Sequence, residues 1–152
     1  MALDLFDIKN EVDFEVIALR SVLPEYKLAY HLNQFLGVKL IRQKNDLDLI
    51  LKNKVVNFAT YQYLNEEDQK ELYLLKNNTV NEAMEEEFTL FKESVKEEKF
   101  FLVPELSEFD FILKIYGYSS EEMVRKIKQI SNIQVIKTMG ISKIKSIHHL
   151  IF

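Results

Sequence analysis

Cysteine is absent from the sequence, which excludes disulfide bonds, a thiol nucleophile and a cysteine-ligated metal. Glycine and proline are scarce, at three and two residues, so regular elements joined by short turns are favoured over flexible linkers. No stretch approaches the ~18 uncharged apolar residues of a membrane span. Residues 1–7 also lack the basic start and the apolar run of a signal peptide. We therefore expect a cytoplasmic protein that has no contact with membranes.

The composition is that of a globular domain. The chain has 152 residues, of which 47% are hydrophobic and 29% are charged. These values are typical of folded proteins, and the length is that of one domain. Because no linker or internal repeat divides the sequence, we expect residues 1–152 to form a single domain.

Charge is distributed unevenly along the chain. Residues 1–63 are balanced, whereas residues 64–110 carry fourteen acidic and five basic side chains. Residues 111–152 carry two acidic and seven basic side chains. The net charge of −4 therefore divides into an acidic middle and a basic end. A polarised surface of this kind concerns partners and association rates more than the fold.

The periodicity of apolar residues predicts mostly β structure. The predicted strands comprise residues 13–20, 38–42, 47–51, 55–63, 71–75, 100–103, 109–116 and 133–137. The turn residues at 44–46 predict that the second and third of these strands form a hairpin. The apolar end of the tail, residues 143–152, is expected to return to the sheet.

Two helices are predicted between these strands. Ser21 and Pro24 are typical of a helix start and Gly37 of a helix end, with an apolar face between them. Ser119 and Glu122 form the pattern of a capping box, which predicts the start of the second helix. The element order favours an α+β fold, with a mainly antiparallel sheet, two helices packed on one face and a ferredoxin-like, split β-α-β arrangement.

Residues 77–99 are predicted to form an acidic amphipathic insertion. Met84, Phe88 and Phe91 recur there at helical spacing, together with Val80. One interpretation is a partly helical segment that lays its apolar stripe on the domain. The other is an arm that becomes ordered when it binds a partner.

One nine-residue segment carries a family resemblance. Residues 103–111 read Val-Pro-Glu-Leu-Ser-Glu-Phe-Asp-Phe and resemble the signature of the IPExxxVDY family. The differences are Val for Ile at Val103, Phe for Val at Phe109 and Phe for Tyr at Phe111. Residues 26–33, 112–115 and 145–152 also resemble that family. The resemblance implies no catalytic residue.

The same motif has a structural interpretation. Pro104 lacks an N–H group and is expected to end the preceding strand. Glu105 is expected to accept backbone hydrogen bonds in the turn. Phe109 and Phe111 are expected to share one face of a strand, with Asp110 on the other. The alternative is that Glu105 and Asp110 belong to a binding site.

No catalytic or cofactor-binding set is predicted. Glu105, Glu108 and Asp110 are close in sequence, but acids in a turn usually cap backbone groups, and no substrate cleft is indicated. The three glycines are isolated, so no phosphate-binding loop is present.

A metal site is not predicted either. His148 and His149 are adjacent, and neighbouring residues on a strand point in opposite directions. His31 lies at the edge of the apolar face of the first helix, where a histidine is more often packed than metal-bound. The remaining hypotheses therefore concern binding.

The first functional hypothesis is a non-enzymatic interaction or regulatory protein that binds a partner protein. Its predicted contact residues are Met84, Phe88 and Phe91 on the insertion, and Arg125, Lys126 and Lys128 on the second helix. The oligomeric state is left open, because an exposed edge strand can also pair two copies of a chain.

The alternative hypothesis is RNA binding. Tyr61 and Tyr63 share one strand face, as Phe109 and Phe111 are expected to do, and single-stranded RNA is bound by stacking on such aromatic faces. The basic C-terminal third of the chain would contact the phosphates.

Overall fold

The computed structural model describes residues 13–83 and 96–152. Within them, strands β1 to β10 span Glu15–Ser21, Ile41–Arg42, Leu47–Leu51, Lys54–Phe58, Thr60–Asn65, Lys70–Lys76, Asn78–Ala83, Lys96–Phe101, Phe111–Tyr116 and Ile133–Met139. Helices α1 and α2 span Glu25–Leu36 and Ser120–Ile127. Three short 3₁₀ helices cover Pro104–Leu106, Ile141–Lys143 and Ile147–Leu150. None of the helices in the described ranges has the length and apolar character that crossing a membrane would require.

The main sheet has six strands in the order β10-β1-β9-β6-β5-β2. Every neighbouring pair in it is antiparallel. Strands β3 and β4 form a separate hairpin, as do β7 and β8. The predicted α+β class and the mainly antiparallel sheet are confirmed. A ferredoxin-like arrangement is not confirmed, because the strand order is more complex.

Both helices pack on one face of the main sheet, as predicted. Helix α1 buries Leu28, Ala29 and Leu32 along one stripe and ends at Gly37, whose φ of 66° places it in the left-handed region. Helix α2 begins at Ser119, whose hydroxyl accepts a hydrogen bond from the backbone N–H of Glu122. Full burial of a leucine side chain stabilises the fold by about 2 kcal/mol, so this stripe is a principal contribution of α1.

The opposite face of the sheet is covered by the chain's end and by the β3–β4 hairpin. Ile144, Ile147 and Leu150 of the tail are completely buried there, in one cluster with Val56 and Phe58 of β4. The tail therefore returns to the sheet as expected, although it does so as short 3₁₀ helices. Burial on both faces explains why several strands read as continuous apolar runs.

The predicted hairpin around residues 44–46 is wrong. Strand β2 pairs with β5, and β3 pairs instead with β4 through a two-residue turn at Lys52 and Asn53. Both turn residues have positive φ values, 50° and 63°, the conformation of a type I′ turn. This turn matches the twist of the strands, whereas the four residues between β2 and β3 join strands that do not pair with each other.

The Lys52–Asn53 turn can be tested through its backbone conformation. Asn53→Ala is expected to lower the free energy of unfolding by about 1 kcal/mol, because a Cβ-bearing residue other than Asn is strained in the left-handed region. Asn53→Gly is the matched control and is expected to retain stability. Urea unfolding of both variants measures the difference, and equal losses would contradict the type I′ turn.

Candidate interaction surface

The motif segment 103–111 forms a compact loop between β8 and β9. Its Pro104–Leu106 portion is a 3₁₀ helix, so Pro104 lies just beyond the strand, as expected. The backbone of Asn77 holds both ends of this loop. Its N–H donates to the carbonyl of Asp110 at 2.9 Å, and its carbonyl accepts from the N–H of Leu102 at 2.7 Å.

The side chain of Asn77 completes the attachment. It is fully buried, and its amide nitrogen donates to the carbonyls of Leu106 and Phe109, both at 2.9 Å. Its amide oxygen accepts from the N–H of Val103 at 2.9 Å. Both amide hydrogens are thus used inside the core, at a site without access to water. Asn77 is therefore the residue that orders the loop.

Glu105 connects the motif loop to the C-terminal tail. Its carboxylate accepts from the backbone N–H of Ser146 at 2.7 Å and from the Ser146 hydroxyl at 3.0 Å. Partial burial opposes ionisation, but the hydrogen bonds from Ser146, together with those from the backbone of Glu105 and Lys145, lower the pKa of Glu105. Glu105 does accept a backbone hydrogen bond, but the donor lies in the tail and not in the turn where it was expected.

The prediction that Phe109 and Phe111 share a face is wrong. Phe109 packs on the tail side of the sheet and Phe111 on the helix side. Phe109 precedes β9, in a turn where its N–H donates to Leu106, so strand alternation does not apply to it. Asp110 accepts from the backbone N–H of Ser21 at 2.9 Å, which attaches the loop to β1.

The three histidines do not converge. His31 lies on α1, on the helix side of the sheet, and its ring makes an edge contact with Tyr30. His149 lies in the tail, with Nδ1 2.7 Å from the carbonyl of Leu102. Desolvation and the neighbouring His149 lower the pKa of His148, while Glu105 opposes the shift. Within residues 13–83 and 96–152, no three His, Cys, Asp or Glu side chains could together hold a metal ion.

Lys114 is a buried cation that sequence reasoning did not single out. Its side chain is 7% exposed, and Nζ lies 4.7, 5.2 and 3.9 Å from the ring centroids of Phe14, Tyr73 and Phe152. Burial lowers the pKa of Lys114, while Glu71 opposes the shift. The three rings stabilise the ammonium group on the tail side of the sheet. These ring contacts make Lys114 a structural part of the core packing.

Two cavities have mixed charge. An open groove of about 1010 Å³ at the start of α1 is lined by Arg20 and Lys76 but also by Glu25 and Asp110. Lys76 and Glu25 pair with each other at 3.7 Å. A lining of two cations and two anions favours neither an anionic nor a cationic ligand.

The second cavity is a cleft of about 440 Å³ between the end of α1 and the start of α2. Lys70 and Lys126 line it together with Asp68 and Glu122, so its charges balance in the same way. Lys126 is a predicted contact residue, but in this cleft its charge is countered. The two cavities therefore do not define a site for an ion of one sign.

The C-terminal part of the chain differs in having no acidic residue. From residue 123 to residue 152 there is no Asp or Glu. The six basic side chains of this stretch, all exposed, are Arg125, Lys126, Lys128, Lys137, Lys143 and Lys145. Strand β10 lies between α2 on one face of the sheet and the tail on the other. We name β10 together with these six side chains the basic edge.

The predicted contacts on α2 thus belong to a larger surface. Arg125 has one ion pair, with Glu122 at 3.6 Å, and both side chains are more than 60% exposed, so the pair contributes little. Lys126 and Lys128 have no ion pair among the described residues. The charge of Lys128 is therefore available to a partner, whereas Lys126 shares the cleft with Asp68 and Glu122.

The predicted contacts on the insertion, Met84, Phe88 and Phe91, lie outside the described residues. The ends of the insertion form the antiparallel strands β7 and β8. The helical interpretation is therefore wrong for Val80, which lies in β7. On β8, Glu98 accepts from Lys52 and Lys54, both at 3.0 Å, and these hydrogen bonds lower the pKa of Glu98.

The aromatic residues on which the RNA hypothesis depends are not on an open face. Tyr61 is 7% exposed and packs under the helices, with Tyr63 against the same cluster. Phe109 and Phe111 are both buried, on opposite faces of the sheet. Base stacking on these rings would require removal of a packed layer.

Comparison with known proteins adds no constraint. The chain matches no protein-family model, no curated protein and no solved structure. The basic edge therefore stands on its geometry and charge alone.

Sequence reasoning also missed Asn77. Its only sequence signal was that it is a polar residue at the start of the predicted insertion, just after the apolar strand ending at Leu75, and any loop residue there would share that signal. What distinguishes it is burial, which depends on the tertiary fold.

Asn77 can be tested by truncation. Asn77→Ala is expected to lower the free energy of unfolding by about 3 kcal/mol, because three buried backbone groups lose their partners. The matched control is Asn78→Ala, since no described hydrogen bond involves the Asn78 side chain. Urea unfolding gives both values, and similar losses for the two variants would contradict the role of Asn77.

Glu105 provides a pH-dependent test. Because its folded pKa is lowered, its ionisation stabilises the protein at neutral pH, and this contribution is lost as the pH falls through the folded value. Glu105→Gln is expected to cost about 1 kcal/mol or less at pH 7, since solvent screens the partly exposed carboxylate. The cost should vanish below the folded pKa.

The control for this test is Glu108→Gln in the same loop, a side chain without a described hydrogen bond. Urea unfolding from pH 7 to pH 3 compares both variants with the unmodified protein. A cost of Glu105→Gln that does not change with pH would show that the carboxylate's charge is not what binds Ser146.

Proposed function

We propose that the chain is a small, non-enzymatic interaction protein of the cytoplasm that binds an acidic segment of a partner protein at the basic edge. The observation that carries the proposal is the absence of any acidic residue among residues 123–152, where six basic side chains are exposed on and just after α2, on β10 and on the tail. Charge complementarity of this kind gives specificity and fast association.

The internal charge balance of the two cavities supports the same choice. In both the groove and the cleft the cations have anions nearby, whereas four lysines of the basic edge make no ion pair among the described residues: Lys128, Lys137, Lys143 and Lys145. Uncompensated charge repels itself in the folded protein. A partner that neutralises this charge would relieve the repulsion, which adds to the affinity for acidic segments.

We also propose membership of the IPExxxVDY family on the strength of residues 103–111. The hydrogen bonds of Asn77 and Glu105 give this motif a structural role, as the loop that joins β8, β1 and the tail. A structural motif is compatible with a protein whose function is binding, since the motif maintains the scaffold and leaves the surface free to vary.

RNA remains the alternative ligand of the basic edge, because phosphates are also attracted to clustered lysines. The two proposals differ in what else they need. Single-strand recognition uses exposed aromatic rings for stacking, but three of the four rings considered for that role are buried in the core and the fourth, Tyr63, is partly buried against it. An acidic protein segment needs no such face and is the better fit.

Charge reversal on α2 tests the proposed function. The variant Arg125→Glu, Lys126→Glu, Lys128→Glu is expected to reduce partner recovery at least about tenfold, because attraction becomes repulsion at the contact. The measurement is quantitative affinity purification from cells that express the protein at native levels, with and without ribonuclease.

The matched control reverses three exposed lysines elsewhere, Lys27→Glu, Lys39→Glu and Lys44→Glu, with the same change in net charge. Partners should be retained by this control. The proposal is contradicted if no reproducible partner is found or if both variants lose partners equally. Recovery that ribonuclease abolishes would favour RNA.

A further inference from the structure

Among the described residues, strand β10 forms one edge of the main sheet. It has seven residues and pairs only with β1 among the described strands. The hydrogen bonds made by loops and turns of the described ranges do not reach its outer side either. An edge of this kind presents a row of backbone N–H and C=O groups that another extended segment can pair with.

The edge is regular over most of its length. Its pairing with β1 shifts only near Arg20 and Ser21, which leaves the register unbroken from Val135 to Met139. Within that stretch, Val135, Lys137 and Thr138 are exposed, so side chains on both faces are available to neighbours on an added strand. A segment of about five residues can therefore pair with β10.

Charge identifies the occupant. A second copy paired through β10 would place side by side two strands that each carry Lys137 and no Asp or Glu. Like charges placed together across an interface are unfavourable. An extended segment that carries Asp or Glu would instead neutralise Lys137 on the strand and the basic side chains on α2 and the tail.

We propose that β10 binds an extended acidic segment of a partner protein, which adds to the main sheet as a seventh strand. The inference rests on the proposed function and specifies its mode of binding. Backbone hydrogen bonds along β10 supply affinity, and the acidic side chains supply specificity, as in other cases of strand addition.

The experiment uses three synthetic peptides of ten residues and the full chain. The first alternates Glu and Val, the second has the same sequence with alternate backbone nitrogens methylated, and the third alternates Lys and Val. Fluorescence anisotropy measures affinity, and amide hydrogen exchange locates the contact.

The Glu–Val peptide is expected to bind and to slow the exchange of β10 amides. N-methylation should weaken binding about tenfold or more, because several backbone hydrogen bonds are lost while charge is unchanged. The Lys–Val peptide should not bind. Lys137→Glu should weaken the Glu–Val peptide and improve binding of the Lys–Val peptide.

Three outcomes would overturn the inference. Equal binding of the methylated peptide, without protection of β10, would show contact by charge alone and leave the proposed function standing. No binding of the Glu–Val peptide would refute strand addition, while partner recovery in cells would still decide the proposed function. Protection of β10 that rises with protein concentration in the absence of peptide would show that a second copy occupies the edge.

Discussion

A single buried side-chain amide determines how this fold is closed. Asn77 has no access to solvent, so each of its polar atoms must find a partner inside the protein. All of them do so within residues 102–110. The side-chain amide bonds to two carbonyls and one backbone N–H group, and the backbone of Asn77 bonds to one further carbonyl and one further N–H group. The motif loop is therefore fixed to the end of β6, and Glu105 on that loop in turn holds the C-terminal tail at Ser146.

The position of the tail decides which surfaces are available for function. With the tail and the β3–β4 hairpin on one face of the sheet and the helices on the other, Phe58, Tyr61 and Phe111 are core residues. What is left for a partner is the perimeter, and there the charge is uneven. The same residues that cover the sheet, 140–152, contribute Lys143 and Lys145 to the basic edge, so closure of the fold and assembly of the proposed site are linked.

Much of the fold could be predicted from local patterns. Gly37 and Ser119 marked an end and a start of helices, because capping depends on the residue's own backbone and hydroxyl. Which strands pair was harder to predict. Both the turn at Lys52 and Asn53 and the residues at 44–46 have the composition of a hairpin turn, and only tertiary context distinguishes them. Of the candidate site, Arg125, Lys126 and Lys128 were found from charge alone, whereas the edge position of β10 and the burial of Asn77 and Lys114 depend on which strands become neighbours.

Closure of the fold by Asn77 is tested most directly by native-state amide hydrogen exchange at Val103, whose N–H donates to the Asn77 side chain. If this bond closes the fold, Val103 should exchange only through global unfolding, with the same free energy and denaturant dependence as Leu113 in the centre of the sheet. Exchange of Val103 through a local opening of much lower free energy would show that the loop opens independently of the core. The sheet would then be accessible from the tail side, and the basic edge would not be the surface that closure leaves to a partner.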